Sequence, residues 1–500
     1  MLSLTEIGRF IDDDISSEKK KFAKKGQSYY EGRHDIKDYR VFYYNSDGKP
    51  VEDKYRSNLR ISHPFFTELV DQAVQYILSG KDGFVKSDIP ELQTELDAYF
   101  NENEDFTAEL SEVLTDCQAK GFAFMYAYKN AEDRLSFQCA DAVGVVEVRA
   151  KDTDDGCAYV IYWYVDRVDK GQKKIKRIQV WDDKQTYFYV QADGGNIEVD
   201  MSEKINPKPH TLYEKEGDGA TYFENFGFIP FFRLDNNKKQ TSSLKTVKEL
   251  IDDYDLMASS LSNNLVDFDT PIHVVKGFEG DNLDELQLNL KTKKIIGMES
   301  AEAGAGVEVH TVDVPFQARQ AKLDLDEKNI YRFGMGLNTA GLKDTNATTN
   351  VAIKAAYSLL DLKCSKLEIR LKQFLRKLIK VVLEEINAVN GTDYQMKDVY
   401  FDFEHEIMSN AHENAQIELT EAQRKQTEIN TLKTLETVLD SETFMKLICE
   451  QLDIDYDEIK GKLPDPNEAE NAIKDAQGGL NSVVVEDEQT AEGSVAGTTE

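Results

Sequence analysis

Apolar positions along the chain change period several times, and each change marks an element. Between Asn225 and Phe268 an aromatic run (Phe226, Phe228, Ile229, Phe231, Phe232) reads as a strand. It ends in the polar hinge Asp235-Asn236-Asn237. A helix follows, with Val247, Leu250, Ile251, Tyr254, Leu261, Leu265 and Phe268 at helical spacing. Upstream, residues 1–25 read as one helix with a basic end (Lys19, Lys20, Lys21, Lys24, Lys25), and an irregular polar stretch runs to about Arg60. The segment ISHPFFTELVDQAVQYILSG predicts a helix with Pro64 in its first turn, Gly80 beyond its end and a stripe of Phe65, Leu69, Val70, Val74 and Ile77. Another helix covers roughly 90–120. From Ala123 to about Phe232 the period becomes two, predicting one mixed α/β domain of mostly antiparallel strands.

Residues 271–314 predict a second small unit, with strands at IHVVKGF, KKIIGM and VEVHTVDV and a short acidic helix at DNLDELQLNL. Helices flank it on both sides, so it reads as an insertion. Pro315 opens a helix to about Phe333, and Gly334 and Gly336 read as its stop and a hinge. LNTAGLKDTNATTN is a polar loop. The longest helix spans Val351–Val389, about 57 Å, on Leu359, Leu360, Leu367, Leu371, Phe374, Leu375, Leu378, Val382 and Ile386. It carries eight basic and four acidic residues. VYFDFEHEI alternates as a strand. Residues 411–462 read as helical with a narrow stripe (Ile417, Leu419, Ile429, Leu432, Leu435, Val438, Leu439). The acidic, Gly- and Ser-rich 464–500 is expected to be disordered.

With 500 residues, two to four domains or layers are expected. The net charge is −32. From Glu249 to Asp269 the helix has six acids and no Lys or Arg, a surface that repels polyanions. No apolar run approaches the ~20 residues of a membrane span, and acids stand where a signal peptide would be apolar. Five scattered cysteines read as reduced thiols, and seven dispersed histidines give no metal geometry. There is no GxxxxGK[ST], HExxH, GxSxG or strand-borne GxGxxG. Asp281, Asp284 and Glu285 read as acids at a helix N-terminus, since they lack the alternating ligands of a calcium loop. No catalytic site, metal or cofactor is expected.

The succession YYEGRHDI, NLRISHPF with VDQAVQYILSG, NFGFIPFFRLDNN, SSLKTVKELIDDYDLMASSLSNNLVDF, TPIHVVKGFEGDNLDEL and VAIKAAYSLLDLKCSKLE resembles the portal proteins of tailed bacteriophages of the siphophage type, over about residues 5–460. The resemblance implies an α+β portal fold: a wing at 1–240 with 397–409, stem helices at 241–269 and 315–336, a clip at 270–314, a tunnel loop at 337–350, a long wing helix at 351–396, a crown at 410–463 and a tail at 464–500. It also implies a homo-oligomeric ring of about 12 or 13 subunits at one capsid vertex of the virion, assembled in the host cytoplasm. Double-stranded DNA would pass through it without sequence specificity, during packaging and ejection. The implied partners are the terminase large subunit, a head-completion adaptor, and the scaffolding and major capsid proteins. No membrane is implied.

Carried onto this chain, the tunnel loop offers Asn338, Thr339, Lys343, Asp344, Thr345 and Asn346, with Lys343 touching phosphates weakly. The stem offers Glu249, Asp252, Asp253 and Asp255 to the channel; ion pairs with neighbouring subunits are the alternative. The clip offers Glu279, Asp281, Asp284, Glu285, Lys291 and Lys293 to terminase and adaptor. The basic stretch Lys363–Lys380 is expected to contact the next subunit. A reading of a different class, a metal-dependent DNA-processing enzyme with clustered acids holding Mg²⁺, stays open at this point, as does a monomeric cytoplasmic adaptor.

Overall fold

The computed structural model describes residues 1–54, 56–80, 83–130, 134–149, 156–167, 174–214, 221–268, 272–276, 306–310, 315–338, 350–405, 411–434 and 441–451. The chain divides into two compact units, Met1–Met408 and Ser409–Glu500. The first contains α1 (Leu4–Ser16), α2 (Glu18–Tyr30), α3 (Phe65–Ile77), α4 (Pro90–Leu96), α5 (Glu104–Lys120), α6 (Lys248–Phe268), α7 (Phe316–Gly334) and α8 (Asn350–Asn390). The second contains α9 (Ala411–Thr434) and α10 (Ser441–Gln451). The class is mixed α and β.

The helix expected over residues 1–25 is two helices. Ser17 takes an extended conformation (φ −61°, ψ 144°) and its Oγ accepts the Lys20 N–H at 3.3 Å, capping α2. A capped N-terminus satisfies donors that a continuous helix would bond internally, so the cap stabilises the break. The helix expected over 90–120 is divided in the same way, because Asn103 Oδ1 accepts from Phe106 N at 3.0 Å and restarts the chain as α5.

The period-two region forms two main antiparallel sheets. Phe122–Lys129 lies at the centre of one, between Leu135–Ala140 and Phe231–Asp235. The other runs Ile197–Val199, Gln185–Ala192, Lys174–Trp181, Cys157–Arg167, Val145–Arg149, with Lys208–Pro209 also on Gln185–Ala192. Helix α1 sets Ile7 and Ile11 against Val146, Val148, Ile161, Ile178, Val180 and Tyr189 of the larger sheet. Helix α2 passes α5 at Gly26, where a Cβ would stand 1.9 Å from the Ala119 carbonyl oxygen. Lys20 of the basic end is buried. Its ammonium donates to the carbonyls of Ala142 and Val145 at 2.5 and 2.7 Å, and desolvation lowers its pKa to about 8.

The largest core joins α3, α5 and α8 to the smaller sheet through residues such as Phe66, Val70, Leu110, Leu114, Leu234, Phe374 and Leu378. Each side chain of this kind contributes about 1.5–3 kcal/mol by leaving water. On α8, Leu360, Leu367, Leu371 and Phe374 are buried as expected, but Leu359 is 39% exposed. Of the strand expected at 397–409, Tyr400–Phe401 pairs with the two-residue strand Val85–Lys86 and residues 402–405 are not in a strand, while 406–409 lie outside the described residues. Side-chain contacts then replace the ladder: Phe403 stacks on Phe84 with centroids 5.5 Å apart, and His405 bonds the Tyr76 carbonyl at 3.0 Å. In the second unit the helical span 411–462 is seen as α9 and α10; residues 435–440 and 452–500, the acidic tail included, lie outside the described residues.

Candidate functional site

Helices α6 and α7 run side by side. The chain leaves α6 into Ile272–Lys276 and returns through Gly306–His310. These strands pair antiparallel, with Ile272 opposite His310, so α7 begins beside the end of α6. Lys322 Nζ meets Asp253 at 2.6 Å. With its amide oxygen turned toward Arg319, Asn264 accepts from both terminal guanidinium nitrogens at 2.6 and 2.8 Å. Nearer α3, Tyr254 stands edge-on to Phe65 at 4.9 Å, and Phe65 edge-on to Tyr331 at 6.0 Å.

A second face of α6 is tied to residues 57–63 by a ladder. Asp267 Oδ1 accepts from Ser57 N at 3.0 Å, and Asn263 Oδ1 from Leu59 N at 2.6 Å. Ser259 Oγ accepts from Ile61 N at 3.0 Å, and Asp255 Oδ1 from His63 N at 2.9 Å. The two repeats match: four helical residues advance about 6 Å, and two extended residues about 6.6 Å. A polar stripe of period four therefore fits an extended backbone that faces it every second residue. Its signal in the sequence is the polar series 255, 259, 263 and 267, beside the apolar stripe.

This ladder corrects the expectation for Asp255. Its side chain is fully buried, with His34 Nδ1 at 2.6 Å and His63 Nδ1 at 2.8 Å, so it cannot face a channel. Burial alone would raise its pKa, but hydrogen bonds from His34 and His63 outweigh burial and hold the carboxyl below its usual range. The other acids are partly engaged as well. Asp252 takes the Lys248 ammonium at 2.6 Å and the Tyr29 hydroxyl; Lys248 also meets Asp35 at 2.8 Å, and Lys25 meets Asp35 at 2.6 Å. Asp253 is held by Lys322. Each of these pairs is made within the subunit. Glu249 is exposed and, among the described residues, has no ion-pair partner.

At the far end of α7 the root of the loop is clamped. A Cβ on Gly334 would stand 2.5 Å from Leu69 Cδ1, and one on Gly336 2.2 Å from Leu69 Cδ2. The glycines thus permit close packing, while the left-handed turn is made by Met335 at φ 55°. Gln72 of α3 then binds Leu337 in both directions: Leu337 N donates to Gln72 Oε1 and Gln72 Nε2 donates to Leu337 O, each at 2.9 Å. Tyr331 Oη donates to Glu68 at 2.6 Å. Asn338 bonds Glu327 at 3.3 Å. Thr339, Lys343, Asp344, Thr345 and Asn346 lie outside the described residues, as do Glu279, Asp281, Asp284, Glu285, Lys291 and Lys293.

The basic stretch on α8 is not uniform. Lys363 Nζ donates to the Leu69 carbonyl at 2.9 Å, and burial lowers its pKa to about 8. Lys366, Arg376, Lys377 and Lys380 are exposed. Among the described residues no group of three or more His, Cys, Asp or Glu could hold a metal ion, and no helix is long and apolar enough to cross a membrane.

The site thus consists of two antiparallel helices capped by a small strand pair, with a clamped loop root at the other end. Residues 10–453 match the family described as phage portal protein, SPP1 Gp6-like. The chain belongs to this family. It is similar to the portal protein of Bacillus phage SPP1, 25% identical over 373 residues, which covers 74% of this chain and 71% of that protein. It is likewise similar to the portal protein of Clostridium phage phiCD119, 26% identical over 410 residues, covering 78% and 84%. Its function is therefore that of a phage portal protein, a structural component of the virion and not an enzyme. The DNA-processing alternative has no support. Portal proteins form oligomeric rings at the capsid and interact with the phage's packaging proteins.

Proposed function

We propose that about 12 or 13 copies close into a ring at one capsid vertex, with α6 and α7 as the stem beside the DNA path. In this reading 1–240 with 397–409 is the wing, 270–314 the clip, 337–350 the tunnel loop, 351–396 the long wing helix and 410–463 the crown. The ring is assembled in the host cytoplasm. The clip, with Glu279, Asp281, Asp284, Glu285, Lys291 and Lys293, docks the terminase large subunit during packaging and the head-completion adaptor afterwards. Scaffolding and major capsid proteins meet the ring within the shell. The observation that carries this reading is the α6–α7 pair, which leaves the wing as a two-helix stalk braced by Asp253–Lys322 and Asn264–Arg319.

A conduit must not hold the duplex. Proteins that grip DNA displace counterions with Lys and Arg, and their affinity is strongly salt-dependent. The net charge of −32 per copy works against such adhesion. Lys343 in the tunnel loop would supply a weak, reversible phosphate contact, and Lys343→Ala would alter packaged length or DNA retention without changing assembly. The test of the whole reading is negative-stain imaging with native mass of the purified chain. Rings with a central hole wide enough for a double helix are expected; compact single particles would overturn it.

A further inference from the structure

Between the 3₁₀ turn at Asp35–Asp38 and α3 lies a segment that is ordered without burying anything. From Lys37 to Ile61, Tyr55 left aside, no residue is buried. Yet Phe42–Tyr44 pairs with Pro50–Glu52 as a regular antiparallel hairpin, with Tyr43 opposite Val51. Its turn is held by Asn45 Oδ1, which accepts from Asp47 N and Lys49 N at 3.0 and 2.9 Å. Its base is closed by Lys37 Nζ on the Arg60 carbonyl at 2.8 Å, and from Ser57 onward the chain is fixed to α6 by the ladder. The hairpin carries Phe42 at 60% exposure, Tyr43 at 44%, Tyr44 at 77% and Val51 at 37%, with Tyr39 at 44% beside it. An isolated two-stranded hairpin is marginal in water, and contiguous exposed aromatics on a soluble surface mark a contact.

We infer that this aromatic arm is the clasp by which one copy of the chain holds the next in the ring. The inference rests on the ring reading above. A closed ring with head-to-tail contacts needs two different surfaces on every copy, one that reaches out and one that receives. The arm is the reaching one: its root is bonded to the stem helix, so its direction is set by the element that builds the ring. Seating Phe42, Tyr43 and Tyr44 on the neighbour removes their exposed area from water and supplies the cover the hairpin lacks within its own subunit.

The test compares the full chain with the triple variant Phe42→Ser, Tyr43→Ser, Tyr44→Ser by native mass and negative-stain imaging. The variant is expected to lose the ring and run as single chains while keeping the thermal midpoint of the unassembled chain, since nothing buried has changed. Rings formed by the variant to the same extent as by the parent would overturn the inference. As a second measurement, a photo-crosslinking residue placed at Tyr44 in the assembled parent ring should give covalent dimers of this chain; irradiation that leaves only monomers would also overturn it. If the parent itself forms no ring, the proposed function fails, which is a different result from a ring that ignores the arm.

Discussion

Asn263 and Leu59 are joined by a two-way amide bridge: the Leu59 N–H donates to Asn263 Oδ1 at 2.6 Å, and Asn263 Nδ2 donates to the Leu59 carbonyl at 3.2 Å. One side chain thus occupies both polar groups of an extended residue, as a neighbouring strand would. Asn263→Leu keeps the volume and removes both bonds. A net hydrogen bond is worth about 1 kcal/mol, so the loss of two should accelerate amide hydrogen exchange at Leu59 by roughly thirtyfold. Exchange at core amides such as Leu114 should stay unchanged. An unaltered Leu59 rate would show that the ladder does not hold the segment to α6.

Asp255 anchors the same ladder from inside. A buried polar group left without its hydrogen-bond partner costs about 1–3 kcal/mol, so Asp255→Asn, which disturbs the bonds to His34 and His63, should lower the thermal midpoint by several degrees. The carboxyl is held below its unfolded value of 3.8. Its stabilisation is therefore present above that pH and is lost as pH falls through the lower folded value. The gap between parent and variant midpoints should be widest near neutrality and shrink in acid; a gap constant with pH would contradict the assignment.

Gly336 makes a third case, in which the effect is steric. Gly336→Ala places a methyl 2.2 Å from Leu69 Cδ2 in a packed site, and overpacking of this kind costs about 1–3 kcal/mol. Leu69→Ala alone should also destabilise, by about 2–5 kcal/mol. The double variant should be more stable than the sum of the two losses predicts, because the cavity accepts the added methyl. Strict additivity would mean that the glycine serves backbone freedom instead of packing.

Elements with a strong apolar period are legible in the amino-acid sequence alone: α3, which starts just after Pro64 where the proline is expected inside the first turn, α6 with its stripe from Leu250, and α8 over nearly its whole length. The work of polar side chains is not. Ser17 and Asn103 break helices that periodicity would continue, because caps are local hydrogen bonds and carry no apolar signal. Lys20 reads as one of the lysines of a basic helix end and is buried on carbonyls from residues more than a hundred positions away, a partnership that no window of sequence contains. Asp255 is expected at the channel because the family resemblance puts its helix in the stem; its burial on two histidines from distant segments has no signal in the helix's own sequence.

His405 and Glu368 give a pH dependence of opposite sign. His405 Nε2 lies 2.8 Å from Glu368 on α8, and that hydrogen bond raises the imidazole above its ordinary 6.5. A raised folded value means the stabilisation is full below about 6.5 and is lost as pH rises through the folded pKa. Glu368→Gln should therefore cost about 1–3 kcal/mol at pH 5.5 and much less at pH 9, read as a thermal midpoint difference. A cost that is the same at pH 5.5 and pH 9 would show that the imidazole is neutral in the pair.

Among the described residues, Glu249 is the one of the four acids expected at the channel that no ion pair engages. Asp252 and Asp253 are unsuitable probes, since reversing either would break the contact with Lys248 or Lys322 before it changed the channel. Glu249→Lys alters charge on an exposed position without removing an ion pair among those described. If α6 stands beside the DNA path, the assembled ring should retain linear duplex more strongly at low salt. Each phosphate newly neutralised would steepen the fall of log K against log salt by about 0.9. The gain should vanish as salt is raised from roughly 50 to 200 mM. Identical retention by the parent and variant rings at every salt concentration would place Glu249 away from the duplex, and the low adhesion of the channel would then have to come from other residues.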